Sequence, residues 1–270
     1  MTRRSYQGKT VVITGGAGGL GAAFAQRFAG LGAKLALLDL DGAAAGRVAV
    51  EISTAGAQAL GLACDVTDPA ACRAAMEQVG QLLGGIDLLI NNAGITHRSA
   101  FVDTSAEVFA KVMAVNYLGS LHCTQAALPS LLARRGQIAV ISSVAGVAPL
   151  YGRSGYSAAK HALHGLFETL RTELAGTGVT VTIVCPGFTN TGIAHAALGG
   201  DGSLTSHRQS TVGRIASAQE VATALYRAVA KEKRLVVLST VGKLTYLINK
   251  ISPALYERMM LKSLKSELER

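Results

Sequence analysis

Tyr156 and Lys160 stand four residues apart in a segment whose pattern predicts a helix, so their side chains emerge on one face. An ammonium beside a phenol favours the phenolate. A tyrosine with a reference pKa of about 10 then becomes usable as an acid or base near neutral pH. Ser143 closes the hydrophobic strand just upstream, where its hydroxyl could hydrogen-bond a substrate oxygen. Together the three residues suit hydride movement to or from an alcohol carbon: one group handles the O–H proton while a cofactor exchanges the hydride at the same carbon. An isolated Y-x-x-x-K spacing more often marks a core-facing tyrosine with a snorkelling lysine. The residues upstream argue against that here.

A hydride needs a carrier, and residues 14–21 read T-G-G-A-G-G-L-G directly after the first predicted strand and at the opening of a helix. In that place Gly15, Gly19, Leu20 and Gly21 would let the backbone approach a pyrophosphate, with helix N-terminal amides aimed at it. Asp39 ends the second strand eighteen residues after Gly21, near the spacing at which a carboxylate meets both adenosine ribose hydroxyls. A 2′-phosphate would face that carboxylate, and no basic residue stands at position 40 or in the turn. NAD is therefore expected over NADP. The plainer alternative makes Asp39 a helix N-terminal anion near Asp41.

The elements that must position these residues alternate along the whole chain. Residues 10–14, 34–39, 59–64, 86–90, 137–142, 179–185 and 235–238 read as strands, and residues 20–31, 42–55, 69–83, 106–133, 155–175 and 218–231 as helices. Such alternation predicts an α/β fold, a Rossmann-type doubly wound parallel sheet of about seven strands with helices on both faces. Asp68-Pro69 suits a helix start, and Thr104 to Glu107 and Ser217 to Glu220 have capping-box spacing. Residues 192–213 lack a period and read as a long loop with a short helix, a common form for an active-site lid. The expected organisation is one dinucleotide-binding and catalytic domain, 1–241, followed by an amphipathic helical extension, 242–270.

With 270 residues, 49% hydrophobic and 16% charged, the chain can bury a sizeable core, which excludes disorder. No window is apolar enough to span a bilayer, and the start MTRRSYQGKT shows no secretory signal, so a cytoplasmic location is expected. Cys64, Cys72, Cys123 and Cys185 form no C-x-x-C pair. They read as buried thiols, with neither a metal site nor a disulfide framework indicated. The net charge of +9 is read as a solvated basic surface, with no specific nucleic-acid binding, since no such motif accompanies it.

With these motifs in place, the chain resembles the short-chain dehydrogenase/reductase family, in its subclass with a T-G-x-x-x-G-x-G turn. The likeness covers about residues 8–240. Asp65 in Cys64-Asp65-Val66, Asn91-Asn92-Ala93-Gly94, Asn116 and Pro186-Gly187 carry it further. The resemblance implies that Asp65 and Val66 hold the adenine end and that Asn92, Ala93 and Gly94 line the cofactor groove. It also implies that Pro186, Gly187 and Thr191 meet the nicotinamide side, and that Asn116 supports an ordered water in a proton relay to Lys160. Tyr156 would be the acid/base and Ser143 would orient the carbonyl or hydroxyl. Lys160 would bind the nicotinamide ribose and lower the tyrosine pKa. A homodimer or homotetramer is implied as well.

Substrate should lie at the carboxyl edge of the sheet, among Ile95, His97, Ala145, Leu150 and Phe188 and the 192–213 loop. Those walls are mostly apolar, and only Arg98 or Arg153 could hold a substrate carboxylate; His97 is either a polar anchor or a surface residue. The expectation is NAD-linked oxidation of a lipophilic secondary alcohol, such as a steroid, a retinoid-like or a long-chain alcohol, within lipid metabolism. The alternatives are a keto-lipid or 3-oxoacyl reductase using the same site in reverse, and an NAD-binding sensor without turnover. In the extension, Leu244, Leu247, Ile248 and Ile251 share a face, with Lys243, Lys250, Arg258, Lys262 and Lys265 nearby. It could touch a membrane peripherally, cover the pocket or pack on another subunit.

Overall fold

The short apolar runs β1 (Thr10–Thr14), β2 (Lys34–Asp39), β3 (Ala59–Ala63), β4 (Leu88–Asn91), β5 (Gln137–Ile141), β6 (Thr180–Cys185) and β7 (Leu235–Val237) form one parallel sheet. Its order is β3-β2-β1-β4-β5-β6-β7. This computed structural model describes residues 4–268. The first three residues of the expected leaderless start, and the last two of the expected extension, lie outside the described residues.

The central strands are apolar on both sides because helices cover both sides. Val11 and Ile13 of β1 face one core, with Phe24, Phe28, Leu35, Leu37 and Leu225. This core lies under α1 (Gly19–Ala29), α2 (Gly42–Thr54) and α7 (Ala218–Ala230). Val12, one residue along, faces the other core with Leu38, Met76, Leu89, Leu131 and Phe167. That one lies under α3 (Pro69–Leu83), α5 (Gly119–Arg134) and α6 (Ser154–Glu173). Successive connections leave β1 toward β3 and β4 toward β7, so a crevice opens where the carboxyl ends of β1 and β4 part.

At the opposite edge Asp87 fastens the same two strands. Its carboxylate accepts from the Thr10 N–H at 2.9 Å, from Arg134 Nη2 at 2.9 Å and from Lys9 Nζ at 3.2 Å.

Two expectations need correction. The helix expected over 106–133 is broken: α4 (Ala106–Met113) passes through one wide π turn, Ala114–Leu118, into α5. That turn contains Asn116, and such bulges in helices gather at functional sites. The cap of α4 is Ser105, whose Oγ accepts from the Val108 N–H. Thr104 makes no capping box; its hydroxyl donates to the Ala100 carbonyl at 2.6 Å. The box at Ser217 and Glu220 is present in both directions, and Asp68 caps α3 through the Ala70 N–H.

Beyond β7, α8 (Thr240–Ile251) and α9 (Pro253–Leu264) fold back across the carboxyl edge of the sheet. Asn249 Nδ2 donates to the Val147 carbonyl at 3.2 Å and the Tyr256 hydroxyl to the Pro149 carbonyl at 2.8 Å. Gly242 lets α8 approach closely, since a Cβ there would lie 2.7 Å from Val144 Cγ2.

Burial alone would raise the Asp87 carboxyl, yet the bonds from Arg134, Thr10 and Lys9 hold it below its ordinary value. A depressed folded pKa adds stability above the unfolded value of about 4, which is lost as pH falls through the folded value. Asp87→Asn should cost about 1–3 kcal/mol at neutral pH, and urea midpoints should show its stability falling less steeply than wild type below about pH 4. Parallel pH profiles would count against this role.

Candidate active site

Thr14, the last residue of β1, joins the two halves of the site. Its Oγ1 accepts from the backbone N–H groups of Asn92 and Ala93, each at 3.0 Å. Asn92 Nδ2 returns two bonds, to the Thr14 carbonyl at 2.9 Å and the Gly15 carbonyl at 3.1 Å. The glycine turn is thereby fixed to the end of β4. Gly15 takes a left-handed φ of +63°, and a Cβ on Gly21 would lie 1.9 Å from the Gly15 carbonyl oxygen. Only glycine fits either place. Asp39 closes the turn from β2: its Oδ2 accepts from the Ala17 N–H at 3.0 Å and its Oδ1 from the Asp41 N–H at 3.2 Å.

On the other side of the crevice, the end of β5 runs into Ser143, which caps a short turn by accepting from the Ala145 N–H at 3.1 Å. Val144 N donates to the Pro186 carbonyl at 3.1 Å, which draws the segment after β6 toward the serine. Tyr156 lies in the first turn of α6 and Lys160 in the next. Lys160 is buried; its Nζ donates to the Ile141 carbonyl at 2.8 Å and sits 5.5 Å from the centroid of the Tyr156 ring. Burial brings the lysine down to about 8.

The tyrosine does not follow the expected direction. Burial pushes the phenol up, while the hydrogen bond with Ser143 and then the charge of Arg153 pull it partly back. Desolvation outweighs neighbouring charge in this pocket.

Gly94 lies between Asn116 and Lys160, where a Cβ would come within 2.6 Å of Asn116 Oδ1 and 3.6 Å of Lys160 Nζ. The Asn116 amide is committed to one residue, bonding the peptide groups on either side of it: Oδ1 accepts from the Ile95 N–H at 3.0 Å and Nδ2 donates to the Ile95 carbonyl at 2.8 Å. It thus holds the strand-end segment in place from the π turn.

A cleft of about 820 Å³ runs past these groups. Along it lie Gly15, Gly19, Leu20, Asp39, Asn92, Ala93, Gly94, Ser143, Tyr156, Lys160, Pro186, Gly187 and Thr191, with Ile95, Ala145, Leu150 and Phe188 farther on. Gly21 and Asn116 support the wall from behind. Asp65 and Val66 do not line the cleft: Asp65 Oδ1 accepts from the Thr67 N–H and hydroxyl, and Val66 packs on Gly119.

His97, expected at the pocket or the surface, is at neither. It is fully buried, its Nε2 accepting from the Gly155 N–H at 2.9 Å at the start of α6. Burial and Arg153 lower it to about 4, so the ring stays neutral and keeps that acceptor. The far wall holds residues that the motifs did not indicate: Leu244 and Ile248 from α8, and Tyr256, Met259 and Leu264 from α9. The shared face of Leu244 and Ile248 was visible in the sequence; which surface it covers was not.

The donor set fits a nicotinamide dinucleotide. A glycine turn in which Gly15, Gly16 and Gly21 leave no room for a Cβ opens α1, a carboxylate stands at the end of β2, and a buried lysine stands beside the tyrosine at the other end of one continuous cleft. Comparison with known proteins agrees. The short chain dehydrogenase family model matches residues 9–199. Dehydrogenase/reductase SDR family member 7B of Bos taurus is 34% identical over 98% of this chain and 84% of its own length. The 2-(S)-hydroxypropyl-CoM dehydrogenase 3 of Xanthobacter autotrophicus is 37% identical over 80% of this chain and 88% of its own. A short chain dehydrogenase/reductase from Burkholderia phymatum, solved in complex with NAD, superposes with a TM-score of 0.84 at 30% identity, over 93% of this chain and 96% of that one.

Asn116→Ala would leave the partly buried Ile95 N–H and carbonyl without their partners. It should lower stability by about 1–3 kcal/mol, read as a shift of the urea midpoint, and should weaken cofactor binding by loosening residues 92–95. Unchanged stability would show that the Ile95 clamp carries no weight.

Proposed function

The chain belongs to the short chain dehydrogenase family of oxidoreductases, and we propose that within it this protein oxidises a lipophilic secondary alcohol with NAD. One observation carries the proposal: a single cleft joins the Ser143, Tyr156 and Lys160 cluster to apolar walls from Ala145, Leu150, Phe188 and helices α8 and α9. The Xanthobacter relative is a 2-(S)-hydroxypropyl-CoM dehydrogenase, and a 2-hydroxypropyl group is a secondary alcohol, which supports the reaction class.

NAD, when bound, supplies the hydride acceptor. The Ser143 hydroxyl orients the substrate oxygen and Tyr156 takes its proton. Lys160 anchors the cofactor's ribose and, while protonated, favours the phenolate. Asp39, held by the Ala17 N–H, accepts from ribose hydroxyls and repels a 2′-phosphate, which favours NAD over NADP. The same residues run in reverse would reduce a ketone, with Tyr156 as the acid.

Tyr156→Phe should cut turnover about a hundredfold to ten-thousandfold, the usual worth of a positioned acid or base, while NAD affinity by calorimetry stays nearly unchanged. Because burial raises the phenol and oxidation needs its deprotonated form, oxidation should quicken as pH rises through the alkaline range and reduction should slow. Turnover untouched in Tyr156→Phe, or a flat pH profile in which chemistry is rate-limiting, would contradict the assignment.

The outer face of the extension supports a peripheral lipid contact. Leu247, Leu255 and Ile251, the last 75% exposed, stand out beside Lys243, Lys250 and Arg258, and no described helix is long and apolar enough to cross a membrane. The full chain should float with anionic liposomes, and Ile251→Asp combined with Leu247→Asp should abolish flotation without loss of fold. Flotation unaffected by the two substitutions would rule out this face.

A further inference from the structure

Two arginines line the substrate end of the cleft, and a single carboxylate from the far end of the chain sits between them. Arg98 follows β4 and Arg153 precedes α6, three residues before Tyr156. Their side chains are 4% exposed, and that of Glu267 only 1%. Glu267 Oε1 pairs with Arg98 Nε at 2.9 Å and with Arg153 Nη2, while Oε2 accepts from the Ser210 N–H at 3.1 Å. The other guanidinium contacts are to backbone: Arg98 Nη1 and Nη2 donate to the carbonyls of His207 and Ala194, and Arg153 Nη1 to that of Tyr151. Leu268 packs beside Gly152, where a Cβ would meet its Cδ1 at 3.0 Å.

Buried guanidiniums grouped around a carboxylate are the kind of charge arrangement with which proteins recognise carboxylates in substrates. Here the carboxylate is the protein's own. It lowers the local charge from two positives to one and takes the Arg153 N–H that a substrate carboxylate would need, while its contact with Arg98 Nε is an ion pair without a hydrogen bond. A second anion brought to the same place would meet the Glu267 carboxylate at close range and lose its hydration where one of the two positive charges is already offset. We infer that Glu267 is a specificity-determining residue, which occupies the Arg98 and Arg153 pair as an internal carboxylate and restricts the cleft to neutral substrates. The inference rests on the alcohol-oxidising reading given above and deepens it: the arginines that could have selected an acid are used to exclude one.

Calorimetric titration of the full chain with decan-2-ol and with 9-hydroxydecanoate and its shorter homologues tests this without turnover. Wild type should bind the neutral alcohol at least about tenfold tighter than any of the carboxylates. Glu267→Gln, which keeps the shape and removes the charge, should shift that ratio toward the carboxylates by roughly tenfold or more, the size of one charge-assisted hydrogen bond. Glu267→Ala should melt earlier than wild type and be restored by 9-hydroxydecanoate more than by decan-2-ol, because an added carboxylate re-pairs the arginines. An unchanged ratio in Glu267→Gln, no selective restoration of Glu267→Ala, or equal binding of both ligands by wild type would overturn the inference. Decan-2-ol that binds with the predicted ratios but is never oxidised would count against the catalytic reading alone. Oxidation with an unmoved ratio would count against Glu267 alone.

Discussion

The seam between β1 and β4 carries the rest of the structure. The chain departs from it in opposite directions, and parallel strands that part leave a crevice at their carboxyl ends. What keeps that crevice in one shape is a small set of bonds: Thr14 Oγ1 accepting from Asn92 and Ala93, and Asn92 Nδ2 donating to Thr14 and Gly15. These bonds join the glycine turn to the segment that Asn116 clamps from the other side. A shift at the seam would move the cofactor cradle relative to Lys160 and Tyr156, and catalysis tolerates little misplacement of reacting groups.

Around that seam, burial more than charge sets protonation. It brings Lys160 down to about 8, pushes Tyr156 up and keeps His97 neutral as an acceptor for the Gly155 N–H. Paired buried charges are gathered at the far end of the cleft, where Arg98, Arg153 and Glu267 connect the loop after β4, the start of α6 and the loop near Ser210. Helix α6 is thus fixed at its start by a neutral histidine and by an arginine whose partner lies in the turn after α9. Helices α8 and α9 are therefore part of the site, supplying its apolar wall, and the short turn after α9, Lys265–Glu267, supplies the carboxylate behind it.

The features legible in the sequence were those set by local chemistry. Alternating apolar runs and helical stretches gave the sheet, the glycine run placed its turn, and the spacing from Tyr156 to Lys160 placed both along one helix. Less visible were features that depend on a distant partner. Ser105 caps α4 although Thr104 has the box spacing, because Thr104 is drawn to Ala100 and Ser99. Nothing in residues 106–133 announces a π turn, since helical periodicity is nearly the same on both sides of one inserted residue. His97 looked superficial as a lone polar residue, and its partner Gly155 lies 58 positions away. Glu267 gave no signal at all, for its meaning depends on two arginines more than a hundred residues upstream.

The central claim is that the cleft oxidises a neutral, lipophilic secondary alcohol with NAD. It is tested most directly by NADH formation from the purified full chain, across secondary alcohols graded from short and polar to steroid-sized, with NAD and NADP side by side. The predicted result is activity that rises with lipophilicity and is markedly greater with NAD. Activity confined to short polar alcohols, or a strong preference for NADP, would contradict it.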